Sequence, residues 1–462
     1  MRAALLLLVL LAGCPERQPA IEPVKVGVLN PISGALASLG PSWEDAARLA
    51  AEEVNAGGGI FDGRPLELLF EDDATDAAAA VTAAQGLVGQ GVVGLIGPAT
   101  SGESTEVLAQ VAAPNELPMI SCCATATDLT AGNQPNAGFF FRTTPSDKLQ
   151  GKALAFLAKN GFANIAIAKP CSHVAFIFRN DAYGSGFHDV FTGEYEGADI
   201  VGTVQNGHVI ATGSYGSPDA EANQAELVAA GQALVADIDA SPDIVAGPNP
   251  ELCVVMISFD VDGAPVARQI DQSLTDMIAT RVTAEPTFTL GYHFLTGDGA
   301  NSSAFADPTE GGVGALGAKI LGTVPFHAEN TAYDEFVKAY KARFDLADEP
   351  IAFTAQNYDA VFVMALAITK AKSTVGKDIR NKLYPVSGSN GGDRFEGAFF
   401  GEVANAILAG GDVDYVGPSG EVTFDAFGDV VGDYVLWQVA DDGTGAFTVV
   451  NRDPLPASTF NP

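Results

Sequence analysis

Two short hydroxyl-rich turns, Ala99–Gly102 and Ser121–Thr127, hold the densest set of side chains able to do chemistry in this sequence. Each follows a run that is apolar without alternation, the pattern of a parallel strand covered on both faces. Ligands of open α/β sheets sit outside the carboxyl ends of the strands. Hydroxyls at two neighbouring strand ends therefore make a cradle for a small polar molecule. Taken singly, Ser101 is equally an ordinary helix N-cap, and Thr125 an ordinary turn hydroxyl. Other chemistries lack their parts. No nucleophile elbow, Ser-His-Asp ordering or pair of catalytic carboxylates stands out, and the five histidines are scattered without metal-site spacing. Gly89-Gln90-Gly91-Val92-Val93-Gly94 matches a dinucleotide fingerprint in letters only, because it precedes its strand. Asp425–Asp429 with Asp433 fails the EF-hand spacing and reads as a hairpin turn. The expectation is a binding protein without cofactor or metal, not an enzyme.

The cysteines and the N-terminus set the compartment. Arg2 precedes the apolar run Ala3–Leu11, too short to span a bilayer and suited to a signal-peptide core. The run ends in Leu11-Ala12-Gly13-Cys14, which looks like the lipobox of bacterial lipoproteins, with Cys14 as the lipidated residue. Residues 1–13 are then the signal and 14–23 a polar, Pro-bearing tether. The expected location is outside the cytoplasm of a bacterium, periplasm-facing and tied to the membrane through that lipid alone. The other four cysteines then sit in an oxidising compartment. Cys171 and Cys253 each lie near the start of an apolar strand and could bridge if those strands are neighbours, although spacing does not fix connectivity. Cys122 and Cys123 are adjacent within the second hydroxyl-rich turn; the expectation is two free thiols, the alternative a vicinal pair.

At 462 residues and 47% apolar, the chain has material for two domains. Its net charge of −33, from 24 basic and 57 acidic residues, argues against nucleic acid and against an anionic membrane surface. The acids are spread along the chain, as on a heavily solvated surface.

The elements that must position the turns follow a repeating order. Val24–Asn30 is a strand, and Ser42 with Asp45 has the form of a capping box opening a helix. Leu66–Phe70 is a second strand, followed by an Ala-rich helix from about Asp76. Strand, helix, strand with short connections is the signature of a parallel sheet. Phe139–Thr144 leaves this lobe, and the pattern restarts: helix Leu149–Lys159, strand Val174–Phe178, loop Arg179–Gly186, a helix to about Tyr195, and strand Ile200–Val204. Asn206–Glu251 has a helical centre near Glu221–Ile238 between surface loops. Strand Val254–Phe259, helix Val266–Ala279, strand Phe288–Leu295 and the crossing segment Lys319–Pro325 follow. Helices Tyr333–Phe344 and Ala355–Ala371 come next, and short strands Val422–Phe424, Tyr434–Val439 and Phe447–Val450 close the chain.

Eight segments together carry a resemblance: KVGVLNPISG, EEVNAGGGI, LLFEDDATDAAAA, VVGLIGPATSG, LPMISCCATATDLT, FFFRTTPSDKLQGKA, NDAYGSG and GEVTFDAFGDV. In this order the chain resembles the leucine/isoleucine/valine-type substrate-binding proteins of ABC transporters, within the type I periplasmic binding proteins. The resemblance implies two doubly wound α/β lobes joined by three crossover segments, lobe one from 24–144 and 326–431, lobe two from 145–325 and 432–462. It implies a monomer that closes on an aliphatic amino acid and delivers it to a permease. Residue by residue, Ser101 matches the serine on the ligand carboxylate and Thr125 the threonine beside it. Cys123 matches the small residue whose carbonyl meets the ammonium. Tyr183 matches an aromatic from lobe two, and Asp298 the acid that pairs with the ammonium, where the family usually has Glu. Leu39, Phe259 and Phe353 fall at side-chain-pocket positions. Read alone, Asp298 is a surface-turn residue, Tyr183 a hinge cover, and the three apolar residues core. Two departures stand out: Thr75 and Thr100 occupy positions of a disulfide found in some members, and Cys122-Cys123 replaces a common Pro-small pair. The same architecture also serves amides, urea and similar ligands, or the sensor lobe of a receptor.

Overall fold

The computed structural model describes residues 21–132, 138–165, 167–197, 208–216, 223–245, 251–326, 331–388, 391–397 and 399–461. The signal, the lipobox with Cys14 and the expected strand Ile200–Val204 lie outside them. Among the described residues the strands make three sheets. The first is wholly parallel, with strands β1 (Val24–Asn30), β2 (Leu66–Asp72), β3 (Leu95–Ile96), β4 (Met119–Ser121) and β5 (Phe140–Arg142) in the order β2-β1-β3-β4-β5. The second comprises β6 (His173–Arg179), β7 (Val209–Tyr215), β8 (Glu251–Ile257), β9 (Gly291–Thr296) and β10 (Ile320–Phe326), all parallel. An antiparallel hairpin of β14 (Asp433–Asp441) and β15 (Phe447–Leu455) extends it along β10. A small sheet of β11 (Asp393–Glu396), β12 (Val413–Gly417) and β13 (Gly420–Glu421) flanks the first lobe.

Local chemistry explains several helix starts. Asp76 accepts from Ala79 N at 2.8 Å, Ser146 from Lys148 N at 3.3 Å and Asp181 from Gly184 N at 2.9 Å, each satisfying an orphan amide. The helix Thr354–Ala371 is buried along nearly its whole length, which suits its almost unbroken apolar sequence. Gly97 needs its glycine: its φ is +84°, and a Cβ there would lie 2.1 Å from Leu29 O.

Several expectations are corrected. The first long helix starts at Gly40 without a side-chain cap, so Ser42–Asp45 is no capping box; Pro41 at its first turn sets the start instead. The loop after Arg179 ends by Ala182, because Asp181 caps the helix there. A strand, β7, stands inside the stretch expected to be surface loop, paired with β6 at the sheet edge. Val422–Phe424 is not a strand; the pairing there is limited to Gly420–Glu421. Helices Gly376–Val386 and Phe400–Leu408, with β11 and β12, fill a region where the sequence offered no pattern.

Both cysteine pairs are bonded. Cys171–Cys253 joins the starts of the neighbouring strands β6 and β8 with Cα atoms 5.6 Å apart. Cys122–Cys123 is a vicinal disulfide, which overturns the expectation of free thiols: both side chains converge in the bend after β4. His293 Nε2 lies 3.1 Å from Cys253 Sγ, but both sulfurs of that Cys171-Cys253-His293 group are held in the disulfide. Removing the long-range bond by Cys171→Ala with Cys253→Ala should cost about 2–5 kcal/mol, read as a lower midpoint in chemical denaturation.

Candidate functional site

The ends of β3 and β4 carry the two turns that the sequence singles out. Ser121 Oγ donates to Pro98 O at 2.6 Å and accepts from Cys123 N and Ala124 N at 3.3 and 3.0 Å, tying the second turn to the first. Thr100, not Ser101, caps the Ser101–Val107 helix, in a reciprocal box with Glu103. Ser101 is thereby released from capping. Its Oγ accepts from Ala126 N at 3.1 Å, and its hydroxyl proton can be donated elsewhere. Arg142, fully buried, donates to Ala124 O (3.2 Å) and Ala126 O (3.0 Å), bracketing Thr125, and pairs with Asp429 at 2.7 Å.

The second lobe faces these turns. Asp181 starts the helix that presents Tyr183, whose hydroxyl donates to Asp298 Oδ1 at 2.8 Å and accepts from Gly299 N at 3.3 Å. Gly299 is small of necessity, since a Cβ there would lie 2.6 Å from Ser258 O. The Tyr183 ring stacks on Phe259 with centroids 5.8 Å apart, and the Arg179 guanidinium lies 3.9 Å from the Phe259 ring centre. Asp298 is buried, and its Oδ2 has no hydrogen-bond partner. Burial pushes its carboxyl up to about 6, against the stabilising bond from Tyr183.

Between the lobes lies a cavity of about 40 Å³. All eight residues singled out from the sequence line it: Leu39, Ser101, Cys123, Thr125, Tyr183, Phe259, Asp298 and Phe353. The surface-turn reading of Asp298 is therefore corrected. Phe353 holds a left-handed φ of +64°, a conformation costly for a bulky residue and typical of functional positions. Its ring meets Trp43 edge-on at 6.3 Å, and Trp43 Nε1 donates to Ala352 O at 2.8 Å. Leu36, Trp43, Ala99 and Phe353 from the first lobe pack in one apolar cluster with Tyr183 and Phe259 from the second, so the cleft is shut. Ser38 Oγ donates across it to Asp260 Oδ2 at 3.4 Å, which also accepts from Ser302 at 2.6 Å.

Sequence reasoning missed Leu36, Trp43 and Asn301 in the lining and Asp147 behind it. The Asn301 side-chain amide nitrogen is buried without a partner. Asp147 is fully buried with both carboxylate oxygens unpartnered, and its backbone N–H donates to Thr125 O at 2.8 Å. Burial, then the nearby Asp298 charge, pushes the Asp147 carboxyl up. The Ser-Asp step before the 147–160 helix was the available signal, read only as part of a motif.

The geometry defines a two-lobe α/β protein with a cavity between its lobes. Residues 23–246 match the family described as "Periplasmic binding protein", and residues 283–442 the "Receptor family ligand binding region". The Leu/Ile/Val-binding protein BraC3 of Rhizobium johnstonii is 32% identical over 168 residues, 36% of this chain and 42% of that protein. The matched stretch spans well under two thirds of that relative. A substrate-binding protein of a chemotactic signal transduction system, BasB of Halobacterium salinarum, is 25% identical over 91% of this chain and 88% of its own length. Among solved structures, the leucine-binding protein LivK of Thermotoga maritima superposes with a TM-score of 0.64 at 20% identity, over 94% of this chain and 99% of that one. The chain is thus similar to the periplasmic binding proteins over just under half of its length, and it shares its fold with solved binding proteins over nearly all of it.

Behind Thr100 sits a second buried acid pair, Asp73 and Glu103, each with one oxygen unpartnered. Burial pushes both up, Asp73 from 3.8 to about 7, so the folded state holds a proton there that the unfolded chain releases. Its contribution to stability is complete below about pH 3.8 and is lost as pH rises toward 7. Asp73→Asn should flatten the fall in Tm between pH 5 and 8 relative to wild type, measured by calorimetry.

Proposed function

We propose that this protein is an extracytoplasmic solute-binding protein that captures an aliphatic amino acid between closing lobes and hands it to an ABC transporter permease. The observation that carries this reading is the polarity of the cavity. Hydroxyl donors, Ser101 and Thr125, stand on one lobe, and an unpartnered carboxylate oxygen, Asp298 Oδ2, on the other. Leu36, Leu39, Trp43, Phe259 and Phe353 form apolar walls, and among the described residues no Lys, Arg or His lines the space. A lone anion would meet no counter-charge, whereas a zwitterion supplies its own cation for Asp298. Its carboxylate accepts from Ser101 and Thr125, its ammonium is held by Asp298 and the Cys123 carbonyl, and its aliphatic side chain fills the walls. Tyr183 positions Asp298 and stacks against the pocket wall.

Closure follows from contacts made only when the lobes meet: Ser38 with Asp260, and the apolar cluster across the cleft. The lobe division proposed from the sequence is supported by the chain passing between sheets after β5, after β10 and again near Val430, where Pro145 and Val430 pair as an isolated bridge. An N-terminal lipid on Cys14 would keep the protein at the membrane beside its permease, and the protein would act as a monomer. The full-length match to a chemotactic substrate-binding protein favours a second reading, delivery of the closed form to a signal transducer.

Calorimetry with aliphatic amino acids, amides and urea tests the proposal: leucine, isoleucine or valine should give saturable heat, and heat from amides or urea alone would overturn it. Ser101→Ala should raise the leucine Kd tenfold or more, the loss of one hydrogen bond to a charged group. Because the ammonium needs an ionised Asp298, the Kd should rise as pH falls below about 6.

A further inference from the structure

The Cys122–Cys123 disulfide closes a ring through a single peptide bond, and its second residue reaches the cavity. Around it the turn is pinned by side chains. Ser121 Oγ takes the Cys123 and Ala124 amides, Ser101 Oγ takes the Ala126 amide, and Arg142 takes the Ala124 and Ala126 carbonyls. The flanks are thus fixed by hydrogen bonds, while the Cys122-Cys123 unit itself is fixed covalently. Cys122 is fully buried and Cys123 half-buried at the wall of the cleft, so a reductant entering the open cleft reaches the bond from the Cys123 side. By contrast, both cysteines of the other disulfide are fully buried between strands.

We propose that this vicinal disulfide is a reducible part of the ligand wall, which sets the Cys123 carbonyl toward the cavity when closed and lowers ligand affinity when opened. The inference rests on the amino-acid reading above. The donor is an external dithiol. Its thiolate attacks the Cys123 sulfur, a mixed disulfide forms and Cys122 leaves as a thiolate. The donor's second thiol then attacks that mixed disulfide and releases Cys123. Two electrons and two protons pass to the protein, giving two thiols, and the donor ends as its own disulfide. Once open, the two side chains are free to take separate rotamers, and the peptide between them is no longer held by the ring. The Cys123 carbonyl, attached to the Cα that closes the ring, loses the direction that the ring preset, and affinity falls because preorganisation is lost. Linkage makes the effect reciprocal: a ligand that favours the closed ring must also protect it from reduction.

The test uses the full chain under native conditions with dithiothreitol, followed by alkylation, mass spectrometry and calorimetry with leucine. Two alkylated thiols, both on Cys122 and Cys123, with a leucine Kd at least tenfold weaker, are expected. Saturating leucine should slow the appearance of those thiols by a similar factor. The Cys122→Ser/Cys123→Ser variant should bind like the reduced protein and ignore the dithiol. Should that variant fail to fold, reduction and reoxidation of the wild type give the same comparison. Two thiols with an unchanged Kd, or no thiols at all, would overturn the proposal. Oxidised protein that binds no aliphatic amino acid would overturn the amino-acid reading instead.

Discussion

A buried guanidinium organises the region on which binding depends. Arg142 is fully enclosed, and a buried charge is tolerated only when its donors are matched and its charge is met. Asp429 meets the charge, and the carbonyls of Ala124 and Ala126 take further donors. The planar fork of arginine lets one side chain reach all of these at once, which lysine could not do. The geometry has a consequence beyond local stability. Arg142 ends β5, where the chain first leaves the first lobe, and Asp429 lies where it crosses for the last time. The Arg142 backbone N–H also donates to Gly428 O at 3.0 Å. The same few atoms therefore fix the threonine turn and the root of the hinge, so the cradle cannot shift without disturbing the crossing segments.

The cavity is electrostatically one-sided. It has neutral donors on one lobe, unpaired acid on the other, and apolar surface between. An enclosed site of this kind rejects most solutes through desolvation and accepts a molecule that carries opposite charges a short distance apart. The unpartnered Asp298 oxygen makes the closed, empty form expensive, and the ammonium of the proposed ligand would relieve that cost. On the proposed function, ligand selection and lobe closure are one event, because the acid that selects becomes paired only when the lobes meet.

Much of this was legible in the sequence because it is local. Apolar runs marked the strands of both main sheets, and Ser101, Thr125 and Tyr183 lay in the short segments that carry the resemblance, whereas Asp298 lay in a loop outside them. What was illegible depends on distance or on competing local chemistry. Trp43 reads as an ordinary helix-face residue, and only its approach to Ala352 and Phe353 brings it to the cavity wall. Asn301 and Asp147 carry no periodic signal; their importance lies in what is absent around them. Ser101 read as a cap because its neighbour Thr100 has the same chemistry and holds the glutamate three residues on. The vicinal bond was missed because nothing in two adjacent cysteines records the bend that turns them toward each other. The strand β7 hid in a segment of glycine-rich flanks, where edge pairing with β6, not its own pattern, makes it a strand.

A crystal structure of the protein grown with leucine tests the central claim most directly. The carboxylate should lie within hydrogen-bond distance of Ser101 Oγ and Thr125, and the ammonium within that distance of Asp298 Oδ2, with the side chain against Leu39 and Phe353. Leucine bound with its ammonium away from Asp298, or bound outside the cleft, would contradict it.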